Sequence, residues 1–161
     1  MIRNKIRGAI LFSIILTVLL SCSACDSGTA VKQVDMQVFL AQLKEKIAMP
    51  EMITLSEKRM ESYYGINKEV CSQSIVLICE EGTRIDEIWL LVAKDGNSAE
   101  KLFETAGKRI EQLCKETENY LPDQYSVVKD GVVCRNGNNV ALFISPDAKA
   151  MGDFFNNFCN E

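Results

Sequence analysis

The chain has 161 residues, of which 18 are Lys or Arg and 22 Asp or Glu, giving a net charge of −4, and it contains no histidine. Without imidazole it lacks the usual general base at neutral pH and the commonest metal ligand, so Ser-His-Asp and Cys-His chemistry within this chain is excluded and no metal or cofactor is expected. The excess of acid argues against nucleic acid as a partner, because phosphate is held by clustered Lys and Arg.

Arg3, Lys5 and Arg7 precede an apolar run from Gly8 to Leu20 that ends in Leu19-Leu20-Ser21-Cys22. A basic start, a short apolar run and a small residue before a cysteine read as a lipoprotein signal peptide over residues 1–21. Ala9 to Leu20 supplies only twelve residues, short of the roughly 20 that a spanning helix needs. Cys22 is the favoured lipidation site, with Leu19 three places before it. Cys25 is the alternative, preceded by Ala24 but with Cys22 where an aliphatic residue is usual. Two acyl chains of the palmitate class hold a protein stably, at about 0.8 kcal/mol per buried methylene. The expected address is therefore the extracytoplasmic face of the cell membrane. Residues 22–33, with Ser27, Gly28 and Thr29, read as a flexible stalk and residues 34–161 as a single domain. Loss of the leader's three bases leaves 15 basic against 22 acidic side chains, a net −7.

Met36, Phe39, Leu40, Leu43 and Ile47 recur at helical spacing after Asp35, a suitable N-cap, and the pattern stops near Met49-Pro50. Glu51 to Tyr64 is less regular and predicts a loop with one or two helical turns before Gly65. Val70 to Glu80 and Ile85 to Lys94 are rich in β-branched and aliphatic residues and end at Glu81-Gly82 and Asp95-Gly96, which predicts a hairpin. In strict alternation Cys71, Gln73, Ile75, Leu77 and Cys79 share one face; Ile88, Leu90 and Val92 lie opposite Trp89 and Leu91. Asn97 with Glu100 suggests a capping box, and Leu102, Phe103, Ala106, Ile110, Leu113, Cys114 and Thr117 continue as a long helix from about Ser98 to Asn119. Gly131 to Arg135, the Asn136-Gly137 turn and Val140 to Ser145 form a second hairpin. Ser145-Pro146-Asp147 then opens a last helix with an apolar stripe of Ala148, Met151, Phe154, Phe155 and Phe158.

The predicted order is α-ββ-α-ββ-α. Two hairpins imply an α+β fold with one four-stranded, mainly antiparallel sheet and helices packed on one face.

Tyr64-Gly65-Ile66, Glu87-Ile88, Lys94-Asp95, Ala99, Lys108 and Arg109, Tyr120 with Pro122 and Tyr125, and Gly137 leading to Val140 and Ser145 occur in an order that resembles a family of short lipoproteins of Gram-positive bacteria. These proteins carry a domain of unknown function. The resemblance spans most of the chain from about Val34 and implies an exported, lipid-anchored α+β domain. It carries no activity and transfers no site residue.

Seven cysteines remain to be placed. Cys22 and Cys25 belong to the signal, while Cys71, Cys79, Cys114, Cys134 and Cys159 lack the paired spacing of a zinc site and read as small buried hydrophobes or as bridges formed outside the membrane. A domain of this size can present one groove or one sheet face, so a binding or interaction module is expected, with a protein or a small envelope ligand as partner. Tyr64, Gly65, Tyr120 and Tyr125 are the candidate binding residues, since tyrosine is enriched at recognition surfaces. The alternatives are a small enzyme using carboxylates, with Asp86 and Glu87 or Asp147 and Asp153, and a thiol redox protein that needs a thiol of depressed pKa.

Overall fold

The computed structural model describes residues 34–161, so the leader, the two candidate lipidation sites and the stalk lie outside the described residues. Helix α1 spans Met36–Lys46, and Asp35 caps it by accepting from the Gln37 and Val38 amides at 2.8 and 3.4 Å. The weakly patterned stretch that follows holds both a short strand, β1 (Met52–Thr54), and a helix, α2 (Glu57–Tyr64). Next come β2 (Cys71–Cys79), β3 (Glu87–Ala93) and the long helix α3 (Gly96–Tyr120). Helix α4 (Pro122–Lys129), hairpin strands β4 (Val132–Asn136) and β5 (Asn139–Ile144), and helix α5 (Ala148–Asn160) complete the order.

The fold is α+β, and every strand pair is antiparallel in the order β1-β2-β3-β5-β4. The order gains α4, which the sequence pattern did not predict, and two expectations about the sheet need correction. The sheet has five strands rather than four, because Met52–Thr54 pairs with Leu77–Cys79 at the edge. Helices cover both faces rather than one. Helices α1 and α5 bury Phe39, Leu43, Met151 and Phe155 against Ile75, Leu90 and Phe143, while α2, α3 and α4 bury Met60, Leu102 and Val128 against Val76, Trp89 and Leu142. The cause lies in β3 and β5, whose residues are all buried, so both alternating sets are apolar and each needs a cover.

Strict alternation fails once. A bulge between Cys71 and Gln73 moves Cys71 to the opposite side from Ile75 and Leu77, into the layer under α3. The start of α3 also differs from expectation, since Asp95 rather than Asn97 is its cap and accepts from the Ser98 amide at 2.7 Å. Glu100 instead pairs with Arg135 across to β4. At the start of α5, Ser145 Oγ accepts from the Asp147 amide at 3.2 Å, so Ser145 and Pro146 form the turn ahead of the helix. Among the described residues Cys71, Cys79, Cys114 and Cys134 are unbridged, and Cys71, Cys134 and Cys159 are buried.

Candidate functional site

Arg109 sits three residues after Ala106 and seven after Leu102, on the face of α3 that meets the sheet. A cation in that stripe needs a buried partner, and the first residue of β3 provides it. Glu87 is nearly fully buried and accepts from Arg109 Nε at 3.1 Å and from Arg109 Nη2 at 2.8 Å. Two residues further along the same face, Trp89 Nε1 donates to Glu87 Oε1 at 2.6 Å. The carboxylate is thus saturated by charge-assisted and indole donors, which is how a buried acid is tolerated.

Tyr64 closes the group. Its ring lies 4.6 Å from that of Trp89, with the Arg109 guanidinium 5.3 Å from its centre. Burial, then the neighbouring Glu87 charge, pushes the Tyr64 hydroxyl up to about 12, with Arg109 acting against them. Gly65 holds Tyr64 in place through the backbone: at φ +68° it is the left-handed cap of α2, its amide donating to Glu61 O at 2.9 Å.

Beside this group the β2–β3 loop carries a second ion pair. Arg84 grips Asp86 through two bonds, Nε to Oδ2 at 3.0 Å and Nη2 to Oδ1 at 3.1 Å. Both pairs line one cleft of about 580 Å³, with Tyr63 and Tyr64 on one wall and Ile78 and Cys79 on another. Two further clefts of about 530 and 590 Å³ lie elsewhere. The first holds a largely exposed pair, Lys68 with Glu57, and neither contains a buried ion pair among the described residues.

Of the four candidate binding residues, Tyr64 lines the cleft and Gly65 shapes the helix end that presents it. The structure does not bring the other two there. Tyr120 projects from the end of α3 with 83% of its surface exposed, and Tyr125 on α4 lies beneath Lys129, 6.0 Å from its ring. The residues missed as site residues are Arg84 and Arg109. The signal for Arg109 was available as a cation in an apolar helical stripe, matched by an acid at the head of an all-apolar strand.

Asp86 and Glu87 share the cleft, but each is committed to an arginine, so these two are not poised as an acid–base pair. Asp147 follows the turn into α5, and Asp153 pairs with Lys149 at 2.9 Å. Burial pushes the thiols of Cys71, Cys114 and Cys134 up, opposite to the shift that redox chemistry needs. Among the described residues no three His, Cys, Asp or Glu side chains converge as a metal site, and no helix is long and apolar enough to cross a membrane.

Residues 45–145 match the family described as Domain of unknown function (DUF4358). The matched segment contains all five strands and every residue of the cleft. No curated protein and no solved structure matches the chain.

Proposed function

This chain belongs to the DUF4358 family, and we propose that it is an extracytoplasmic lipoprotein, anchored to the cell membrane through Cys22, that recognises its partner in the cleft between α2, the β2–β3 loop and α3. The anchoring half of this reading rests on the leader. A basic start, an apolar run too short to span and Ser21-Cys22 behind it suit lipid attachment followed by cleavage. The domain then stands on the stalk of residues 22–33 at the outer face, as in the Gram-positive lipoproteins that the sequence resembles.

The recognition half is carried by one observation, the buried Glu87–Arg109 pair at a cleft wall. A buried ion pair adds little stability over apolar side chains of the same volume, because desolvation offsets most of the attraction. Its placement beside a concavity, with Tyr63 and Tyr64 together at the end of α2, fits a surface that selects a ligand. A protein or a small envelope molecule can supply the group that enters.

Metabolic labelling with palmitate, followed by membrane fractionation, tests the anchor. The full chain is expected to carry label and sediment with membranes, whereas Cys22→Ala is expected to lose both. Label that persists in Cys22→Ala and disappears in Cys25→Ala moves the anchor to Cys25; absence of label in the unaltered chain contradicts lipidation.

A further inference from the structure

The two ion pairs of the cleft are arranged in the same sense. The acids lie behind, with 2% of the Asp86 side chain and 3% of the Glu87 side chain exposed; the arginines lie in front, with 39% of Arg84 and 17% of Arg109 exposed. The formal charge of the four groups cancels, yet the side chains that reach solvent are the arginines and not the acids. Each arginine also spends the same edge on its acid. Arg84 uses Nε and Nη2 on Asp86, Arg109 uses Nε and Nη2 on Glu87, and among the described residues no hydrogen bond engages Nη1 of either. A guanidinium has five donors in a rigid plane, so both retain donors whose direction is fixed by the acid behind.

Resting on the reading of this cleft as the recognition surface, we propose that Arg84 and Arg109 together take the oxyanion head, carboxylate or phosphate, of a small ligand whose flat apolar body lies against Tyr63. Planar donors held in place bind oxyanions through short, charge-assisted bonds. The neighbouring wall suits the body. Tyr63 is 64% exposed and meets Tyr64 edge to face at 6.1 Å, while half-buried Ile78 supplies aliphatic surface. The chain as a whole is acidic, at −4, so a diffuse attraction for anions is absent and binding is local to these two side chains.

Trp89 is the chain's single tryptophan and is bonded to the carboxylate that holds Arg109, so its emission reports on the cleft. The full chain in detergent is titrated at constant ionic strength with phenyl phosphate, benzoate, benzamide and benzylamine. The expected result is a saturable change with one or both anions and none with the neutral amide or the cation. Which anion acts distinguishes a phosphate from a carboxylate source. Arg84→Lys keeps a counter-charge for Asp86 but loses the planar fork, and it is expected to weaken anion binding about 10-fold. Tyr63→Ala, at an exposed rim position, is expected to weaken it by a smaller factor. An equal response to benzamide or benzylamine overturns the oxyanion assignment while leaving a ligand-binding cleft. Silence towards all four also overturns it, and photo-crosslinking from Tyr63 in cells then decides the cleft reading separately.

Discussion

Glu87 and Arg109 hold each other in a place where neither could remain alone. Removing one partner of a buried pair leaves an uncompensated charge, which costs about 3–5 kcal/mol. Arg109→Ala is therefore expected to lower the unfolding free energy, read from denaturant curves, by an amount of that order. The double variant Glu87→Leu with Arg109→Met, which fills the same space without charge, is expected to recover most of the loss. If the double variant is as unstable as the single one, the pair is a structural requirement and the argument that it serves recognition fails. Two other side chains in the layer under α3 set a pH dependence. Burial pushes the Cys71 thiol up to about 11 and the Tyr64 hydroxyl, with Glu87 adding to the effect, up to about 12. Their ordinary values of 9.0 and 10.0 apply to the unfolded chain. From about pH 9 to 12 the unfolded chain has thus released protons that the folded chain keeps, so stability falls as pH rises through that window and is undiminished below it. Denaturant midpoints across this range are expected to decline, and Cys71→Ala to flatten the lower half of the decline. A level profile contradicts the burial of both groups.

At the scale of elements, Gly65 decides where α2 ends and hence where Tyr64 stands. A Cβ there would meet nothing within 4 Å, so the cost of Gly65→Ala is backbone strain at φ +68° alone. About 1 kcal/mol is expected, read as a lower thermal midpoint; no change would mean that α2 ends without that cap. Much of the rest was legible in the sequence. Asp35 and the Met36–Leu43 stripe locate α1, the Val- and Ile-rich runs locate β2 and β3, and Asn136-Gly137 marks the last hairpin, where Gly137 takes φ +58°. The misses have local causes. β1 is three residues long and stands at an edge, too short for alternation to declare it. Helix α4 follows α3 through one shared cap residue, Leu121, and is only eight residues long; Pro122, which cannot continue α3, is the first residue of the new helix. The second helical layer was concealed by the habit of antiparallel sheets to leave one face wet. Ile88, Leu90 and Val92 opposite Trp89 and Leu91 left no polar face on β3. Tyr64, named as a candidate from the sequence, lines the cleft, but the two ion pairs beside it were not legible, since Arg84 and Arg109 meet Asp86 and Glu87 only through the short loop and a helix crossing.

Across the whole molecule the two layers divide by family and by chemistry. The segment that matches DUF4358 holds the sheet, α2, α3 and α4, and with them the cleft; α5 and most of α1 lie outside it and build a layer rich in phenylalanine around Phe39. On the reading proposed above, recognition belongs to the layer that carries the two ion pairs, and the phenylalanine layer is a packed support. The claim that recognition occurs at the cleft is tested most directly by crosslinking in living cells. A photo-reactive phenylalanine analogue is placed in the full chain at Tyr63, on the cleft wall, or at Tyr120, exposed but outside it. Adducts of any mass, from small molecule to protein, are then sought. A discrete adduct from position 63 and none from position 120 is the predicted result; an adduct from 120 alone, or from neither position, contradicts it.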